Sequence, residues 1–363
     1  MPWRLPGPVR SLALSSHRRL NSTTPPTYAS DALRILFCGS DEFSIASLRA
    51  LTAAKYDALI DSIHVVHRPA KPTGRGLKQL REVPIEKVAR EELRLPTYAL
   101  DTFTGWTPPT SINLIIAVSF GLFVPSRLLH TAKFGGLNVH PSLLPDLKGP
   151  APIQYAILKR RQYTGVSIQT LHPQHFDQGC VLAQTPAPGI EVPWGTTAEE
   201  LEAQLAKVGA SMLVDVLKSR MYMPPLEDAG WYARSNGPRD HAPKISKQDR
   251  CIVLETSRLK DILTIQYGLG DPWCLIPHGE RLILHQIVDS GVIHQPSSTP
   301  GIWAQEGCDF PLLRDVHGHV GIILESTLAG GRAGAGNATL LHLLPKEKVP
   351  EGQLPIHVSR GRR

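Results

Sequence analysis

No apolar run in this 363-residue chain approaches the ~20 residues that a membrane-crossing helix needs; stretches such as residues 114–118 and 322–324 are far shorter. Cysteine is sparse. The five residues Cys38, Cys180, Cys251, Cys274 and Cys308 stand singly, with no C-x-x-C pair. That argues against a disulfide framework and a structural zinc site, and it suits a reducing compartment. There is no G-x-S-x-G elbow to make a serine nucleophile, and no internal repeat. What is present looks globular: 42% hydrophobic and 20% charged residues exclude collagen-like and disordered chains. The 32 prolines and 30 glycines are too many for a helical bundle and predict strands joined by structured loops.

Acid is also missing from the first thirty residues, which hold Arg4, Arg10, Arg18 and Arg19 among several serines and threonines before Asp31. This composition predicts an organelle transit peptide over residues 1–30. Without those four arginines the formal charge of +7 falls to +3, so net charge by itself does not argue for nucleic acid. One segment concentrates cations: Arg68, Lys71, Arg75, Lys78 and Arg81 lie within fourteen acid-free residues, broken by Pro69, Pro72, Gly74 and Gly76. The pattern predicts a loop, either solvated or poised to touch phosphates.

Hydrophobic patterning predicts a buried strand at 34–39, a helix capped by Ser40, a strand at 62–66, a helix at 84–93 and a strand at 112–118. Further strands at 136–140 and 166–171 flank a helix at 152–159, and Thr197-Ala-Glu-Glu200 forms a capping box for a long helix carrying Leu201, Leu205, Val208 and Val216 on one face. Strands alternating with helices predict an α/β domain, residues 31–220, with an open parallel sheet. Proline and glycine mark a linker at 221–241. Over 242–363 a helix near 258–267 precedes strand-like runs at 273–276, 281–288, 301–305, 320–325 and 338–344, which predict a small β-barrel.

The chemically dense stretch is Asn138-x-His140-x-Ser142-Leu-Leu-Pro145, followed by Asp177-x-Gly179. On a strand, Asn138 and His140 share a face, which puts an amide and an imidazole at the carboxyl end of a parallel strand, where α/β sheets bind ligands. Asp177 is expected in the next strand-to-helix connection. With Gly149-x-Ala151-Pro-Ile153, Phe37-Cys-Gly-Ser-Asp-Glu-Phe43, Lys71-Pro-Thr-Gly-Arg-Gly-Leu-Lys78, Pro243-Lys-Ile-Ser-Lys247 and Asp271-Pro-Trp273, these residues resemble the formyltransferases that use 10-formyltetrahydrofolate. The likeness covers most of residues 33–275. The basic run and the Lys-Ile-Ser-Lys segment resemble the branch that formylates methionyl-tRNA.

That resemblance implies a Rossmann-like formyltransferase domain followed by an OB-like barrel that binds tRNA, working in the mitochondrial matrix as a monomer without a membrane. Asn138 and His140 would donate to the developing oxyanion, and Asp177 would orient His140 or a water and take the amine proton. The folate would lie along Phe120, Gly121, Ser142, Leu143, Leu144, Pro145 and Gln174, with Ser142 ordering its loop. Phe120 stands where the family usually has tyrosine. Arg75, Lys78, Lys71, Arg68, Lys244 and Lys247 would meet tRNA. No metal is implied, although His172 and His175 sit at a spacing that metal ligands use. From Met221 onward 15 basic and 15 acidic residues balance, so charge does not itself mark that region for RNA. Two other readings share the motif: a formyltransferase or formyl hydrolase acting on a small molecule, and an RNA-binding relative without catalysis.

Overall fold

The computed structural model describes residues 31–54, 59–73, 76, 78–276, 279–294, 299–344 and 346–348. The transit-peptide segment and Arg75 lie outside them. Seven strands form the first sheet: β1 (Leu33–Cys38), β2 (Ile60–His67), β3 (Thr97–Ala99), β4 (Leu114–Ala117), β5 (Gly136–His140), β6 (Ser167–Thr170) and β7 (Val181–Gln184), in spatial order β7-β6-β5-β4-β1-β2-β3. The five strands from β5 to β3 run parallel; the central β1, β4 and β5 are buried on both faces, as their largely apolar strings require, while the edge strand β3 is not.

The sheet is not wholly parallel, in contrast to the expectation from sequence. β6 lies antiparallel to β5, and β7 antiparallel to β6. Residues 171–180 are too few to carry the chain back over the sheet for parallel pairing, so β6 and β7 close directly on each other. Asp177 therefore sits in a strand-to-strand loop and not in a strand-to-helix connection.

Helix α1 (Glu42–Ala54) is capped by Asp41, whose Oδ1 accepts from Ser44 N at 3.1 Å; Ser40, expected as the cap, is one residue too early. The helix expected at 84–93 forms as α2 (Pro84–Lys87) running into a π-turn over Val88–Glu92. Between them the cationic run is a short antiparallel ribbon, Lys71–Thr73 against Gln79–Arg81, where a loop was expected. Short helices α3 (Ser126–Thr131) and α4 (Pro152–Leu158) follow β4 and β5. The long α5 (Ala198–Lys218) begins in the capping box, with Glu200 N on Thr197 Oγ1 at 3.2 Å and Thr197 N on Glu200 Oε2 at 2.8 Å. It packs close to the sheet because Gly209 faces Val139; a Cβ there would stand 2.9 Å from Val139 Cγ1.

A second sheet has its own core, built on Ile262, Leu263, Leu282, Leu284, Leu313 and Ile323. After α6 (Leu259–Leu269) come β8 (Trp273–Leu275), β9 (Arg281–Ile293), β10 (Gly301–Gln305), β11 (Leu312–Arg314) and β12 (His319–Leu328), then α7 (Gly336–Leu343) and β13 (Lys346–Glu347). Spatial order is β8-β9-β12-β11-β10-β13, and among the described residues β8 and β13 make no strand pairing with each other. Residues 338–344, expected as a strand, form the body of α7 and its C-cap, Leu344. An apolar run this short suits either state, and the tertiary contacts choose: Asn337 Nδ2 donates to Ile323 O and Leu324 O, while Leu340 is buried. The buried Asp315 accepts from the N–H groups of Leu259, His317 and His319 at 2.7–2.9 Å, so a distant turn satisfies the first amide of α6. Among the described residues no helix is long and apolar enough to cross a membrane.

The segment read as a linker is tightly held. Trp231 Nε1 donates to Thr185 O at 2.7 Å and Tyr232 N to Gln184 Oε1 at 3.0 Å. Leu147 N donates to Asp240 O, and Ala242 N to Lys148 O. Arg161 binds Asp146 through two nitrogens at 2.9 and 3.1 Å and also reaches Asp240, bringing the crossing segment against the loop after β5. Because Asp146 is almost fully buried, removing its cation leaves an uncompensated charge. Arg161→Met should lower stability to urea unfolding by about 3 kcal/mol; a loss near zero would mean that the pair is dispensable.

Candidate active site

The carboxyl ends of β1, β4 and β5, with the 171–180 loop, enclose a cavity of about 490 Å³. Its wall includes Asp41, Ser119, Phe120, Gly121, Asn138, His140, Gln169, His172, Phe176, Asp177 and Glu202. Asn138 and His140 share a face of β5, as alternation dictates. The 171–180 loop folds back over that face and brings Asp177, 39 residues beyond Asn138, to meet them.

Asp177 is the hub. Its Oδ2 accepts from Gly149 N at 2.9 Å, and its Oδ1 accepts from Gln169 Nε2 at 3.1 Å and from Asn138 Nδ2 at 3.5 Å. His140 Nδ1 lies 3.4 Å from the same Oδ1. The opposite ring nitrogen, Nε2, is 3.1 Å from Leu147 O, and since a carbonyl only accepts, Nε2 carries a proton. The nitrogen of His140 turned toward the cavity and Asp177 is therefore Nδ1. Asp177 itself holds φ of +52°, left-handed backbone that a non-glycine residue adopts at some cost. Two glycines make the arrangement fit. A Cβ on Gly179 would stand 1.7 Å from Thr170 O, and one on Gly149, at φ +122°, 2.4 Å from Ala242 O. The crossing segment thus abuts the loop that supplies a donor to Asp177.

Other residues singled out from the sequence fall differently. Phe120 and Gly121 line the cavity. Ser142, Leu143, Leu144, Pro145 and Gln174 are not part of its wall. The first three are buried within the loop after β5, where Ser142 Oγ donates to Asp146 O at 2.6 Å and Leu144 N to Ser167 Oγ at 3.0 Å; Gln174 is exposed. A proline-rigid loop beside a catalytic motif suggests contact, but its apolar side chains turn into the core. His172 and His175 stack at 5.2 Å, and His172 Nδ1 accepts from the backbone N–H groups of Gln174 and His175, a turn-ordering role. Among the described residues no group of three or more His, Cys, Asp or Glu could hold a metal ion. Lys71 and Lys78 are exposed on or next to the ribbon, whereas Arg68 is half-buried and paired to Asp101 at 3.0 Å. Lys244 and Lys247 are exposed beside the crossing segment.

Sequence reading missed Gln169, Asp41 and Glu202. Gln169 is one of three polar residues in the four-residue strand β6, so nothing in the local pattern singles it out. Burial pushes the Asp41 carboxyl above its usual range against opposing hydrogen bonds from Ser44 and Ser119. Glu202 is pushed up by burial and by the neighbouring Asp41 charge, against a hydrogen bond from the Phe43 backbone. Both face the cavity from beneath α1 and α5.

A family model described as Formyl transferase matches residues 33–217. The chain belongs to the formyl transferase family. Among curated relatives within reach of this family member are "Methionyl-tRNA formyltransferase, mitochondrial" of Homo sapiens, 36% identical over 242 residues, and the protein of the same name from Saccharomyces cerevisiae, 37% identical over 243. The alignments cover 66% and 56% of this chain but 57% and 59% of those proteins, so the chain spans less than two-thirds of the length of the relatives it matches. A crystal structure of HypX from Aquifex aeolicus in complex with tetrahydrofolic acid matches 91% of this chain and 51% of its own, with a TM-score of 0.52 at 15% identity, a likeness of fold.

The Asp41–Glu202 pair yields a stability prediction for this member of the family. Raised carboxyls bind more protons in the folded than in the unfolded chain just above the usual carboxylate range, so stability falls as pH rises through that window and the penalty is complete at neutrality. Glu202→Gln keeps an acceptor for Phe43 N and removes the charge; its melting temperature should exceed the wild type's by about 1–2 °C at pH 7 and match it near pH ~4. A variant that melts lower at pH 7 would show that the ionised Glu202 is stabilising.

Proposed function

We propose that this protein transfers the formyl group of 10-formyltetrahydrofolate to the α-amino group of initiator methionyl-tRNA in the mitochondrial matrix, acting as a monomer. The observation that carries the reading is the meeting of Asn138, His140 and Asp177 on one cavity wall in a member of the formyl transferase family. The names of the mitochondrial relatives support the substrate and the compartment, and the arginine-rich first thirty residues support import.

In this reading the amine nitrogen attacks the formyl carbon on N10 of the folate, and the carbonyl oxygen becomes an oxyanion. Asn138 Nδ2 and, when protonated, His140 Nδ1 donate to it. Asp177 accepts the proton that the attacking amine sheds, and the proton is passed to N10 as the C–N bond to the folate breaks. A free α-amino group has a pKa of roughly 7.7–8.0, and esterification lowers it, so the nucleophile needs positioning more than activation. The folate lies against Phe120 and Gly121. The acceptor end of the tRNA meets the cationic run through Lys71, Arg75 and Lys78, and the second sheet, as an OB-like barrel, holds the remainder with Lys244 and Lys247.

Protein lacking residues 1–30 should convert labelled 10-formyltetrahydrofolate and methionyl-tRNA to formylmethionyl-tRNA; release of formate, or formylation of a small amine alone, would replace the tRNA reading. Asn138→Ala should reduce kcat by roughly 10²–10³-fold, and Asp177→Asn by about 10²–10⁴-fold, with RNA affinity unchanged. Arg75→Ala should lower kcat/KM for the charged tRNA while folate affinity holds; equal loss of both would remove that residue from tRNA contact.

A further inference from the structure

We propose that Gln169 is a positioning residue for this reaction, its side-chain amide latching both ends of the Asp177–Gly179 turn. The inference rests on the formyl-transfer reading and adds to it a residue that acts through Asp177. Strand register sets Gln169 directly beside Asn138 across the β5–β6 pair, so the two amides project to the same face. Gln169 is 1% exposed. Its Nε2 donates to Asp177 Oδ1 at 3.1 Å and its Oε1 accepts from Gly179 N at 3.2 Å.

This geometry has one sense. A flipped amide would set oxygen against carboxylate and N–H against N–H, so the two partners fix its orientation. Without Gln169, Oδ1 keeps the longer approaches of Asn138 at 3.5 Å and His140 at 3.4 Å, while Oδ2 stays on Gly149 N. The turn needs holding, because Asp177 is left-handed, and it has little room to relax because Thr170 O lies against Gly179. The latch thus decides which carboxylate oxygen faces His140, and its N–H favours the anion that accepts the amine proton. The other titratable groups in the cavity wall are His172 and His175 on the same loop, His241 on the crossing segment, Asp41 before α1 and Glu202 on α5; His140 Nδ1 lies 3.4 Å from Asp177 Oδ1.

The test uses Gln169→Met, which matches the length and removes both bonds, and Gln169→Glu, which keeps an acceptor for Gly179 but removes the donor to Asp177. Gln169→Met should lower kcat by roughly 10–100-fold, the worth of a hydrogen bond to a charged group. KM for folate and tRNA should stay within about twofold, so that the loss falls on kcat. Gln169→Glu should lower kcat as well, since a second carboxylate faces the first. Hydrogen exchange of the Gly179 amide in the free protein should quicken at least ~10-fold in the Met variant and less in the Glu variant. A lowered melting temperature with kcat unchanged would reduce Gln169 to a packing residue and overturn the proposal, and so would unaltered Gly179 exchange in Gln169→Met. Absence of formyl transfer by the wild type would defeat the reaction reading, and the exchange measurement would still decide the latch.

Discussion

A nearly buried carboxylate with both oxygens occupied organises the cavity at the carboxyl edge of the first sheet. Asp177 draws on four separate pieces of chain: the loop after β5 through Gly149 N, β5 itself through Asn138 and His140, β6 through Gln169, and its own left-handed turn. A carboxylate held out of water needs such partners, since an unpaired buried charge is far too costly to persist. The demand spreads outward. Gly149 can approach because it lacks a side chain against Ala242, and Ala242 is where it is because Arg161 ties the crossing segment to Asp146. The residues after α5 are therefore part of the support for the site.

The same tie reaches the second sheet. Arg160, next to Arg161 at the end of α4, donates to Thr264 Oγ1 at 3.1 Å and pairs with Asp261 on α6. Trp194 meets Tyr267 edge-on, and Gly268 gives α6 close access to Ile157. Helix α4 thus faces the loop after β5 at its start and α6 at its end.

Much of the fold was legible because burial imposes period. The continuous apolar strings at β1 and β4, the capping box at Thr197 and the face of α5 that carries Leu201, Leu205 and Val216 all follow from local chemistry. What failed were matters that local chemistry does not encode. Strand direction at β6 depends on loop length and on what neighbours it. The state of residues 338–344 depends on Asn337 finding carbonyls on β12, since seven residues rich in leucine satisfy either period. Asp41 displaced Ser40 as the cap of α1 by one residue, within the reach of either side chain.

The sequence by itself determined the family and the pairing of Asn138 with His140, because the Asn-x-His spacing on a strand leaves alternation no choice. It also marked Ser142 as a residue that orders its loop, which its bond to Asp146 O fits. Only the tertiary structure decided which residues surround Asp177. Gly149, Gln169 and Gly179 lie 28, 8 and 2 positions away along the chain, and ordinary glycines and a glutamine carry no mark of the partner they will meet. The cavity wall likewise excludes Leu143 and Leu144 despite their place in the motif, since apolar side chains beside a polar cleft gain more by turning into the core. Residue type and spacing set what each side chain could do, and packing set which of those possibilities it meets.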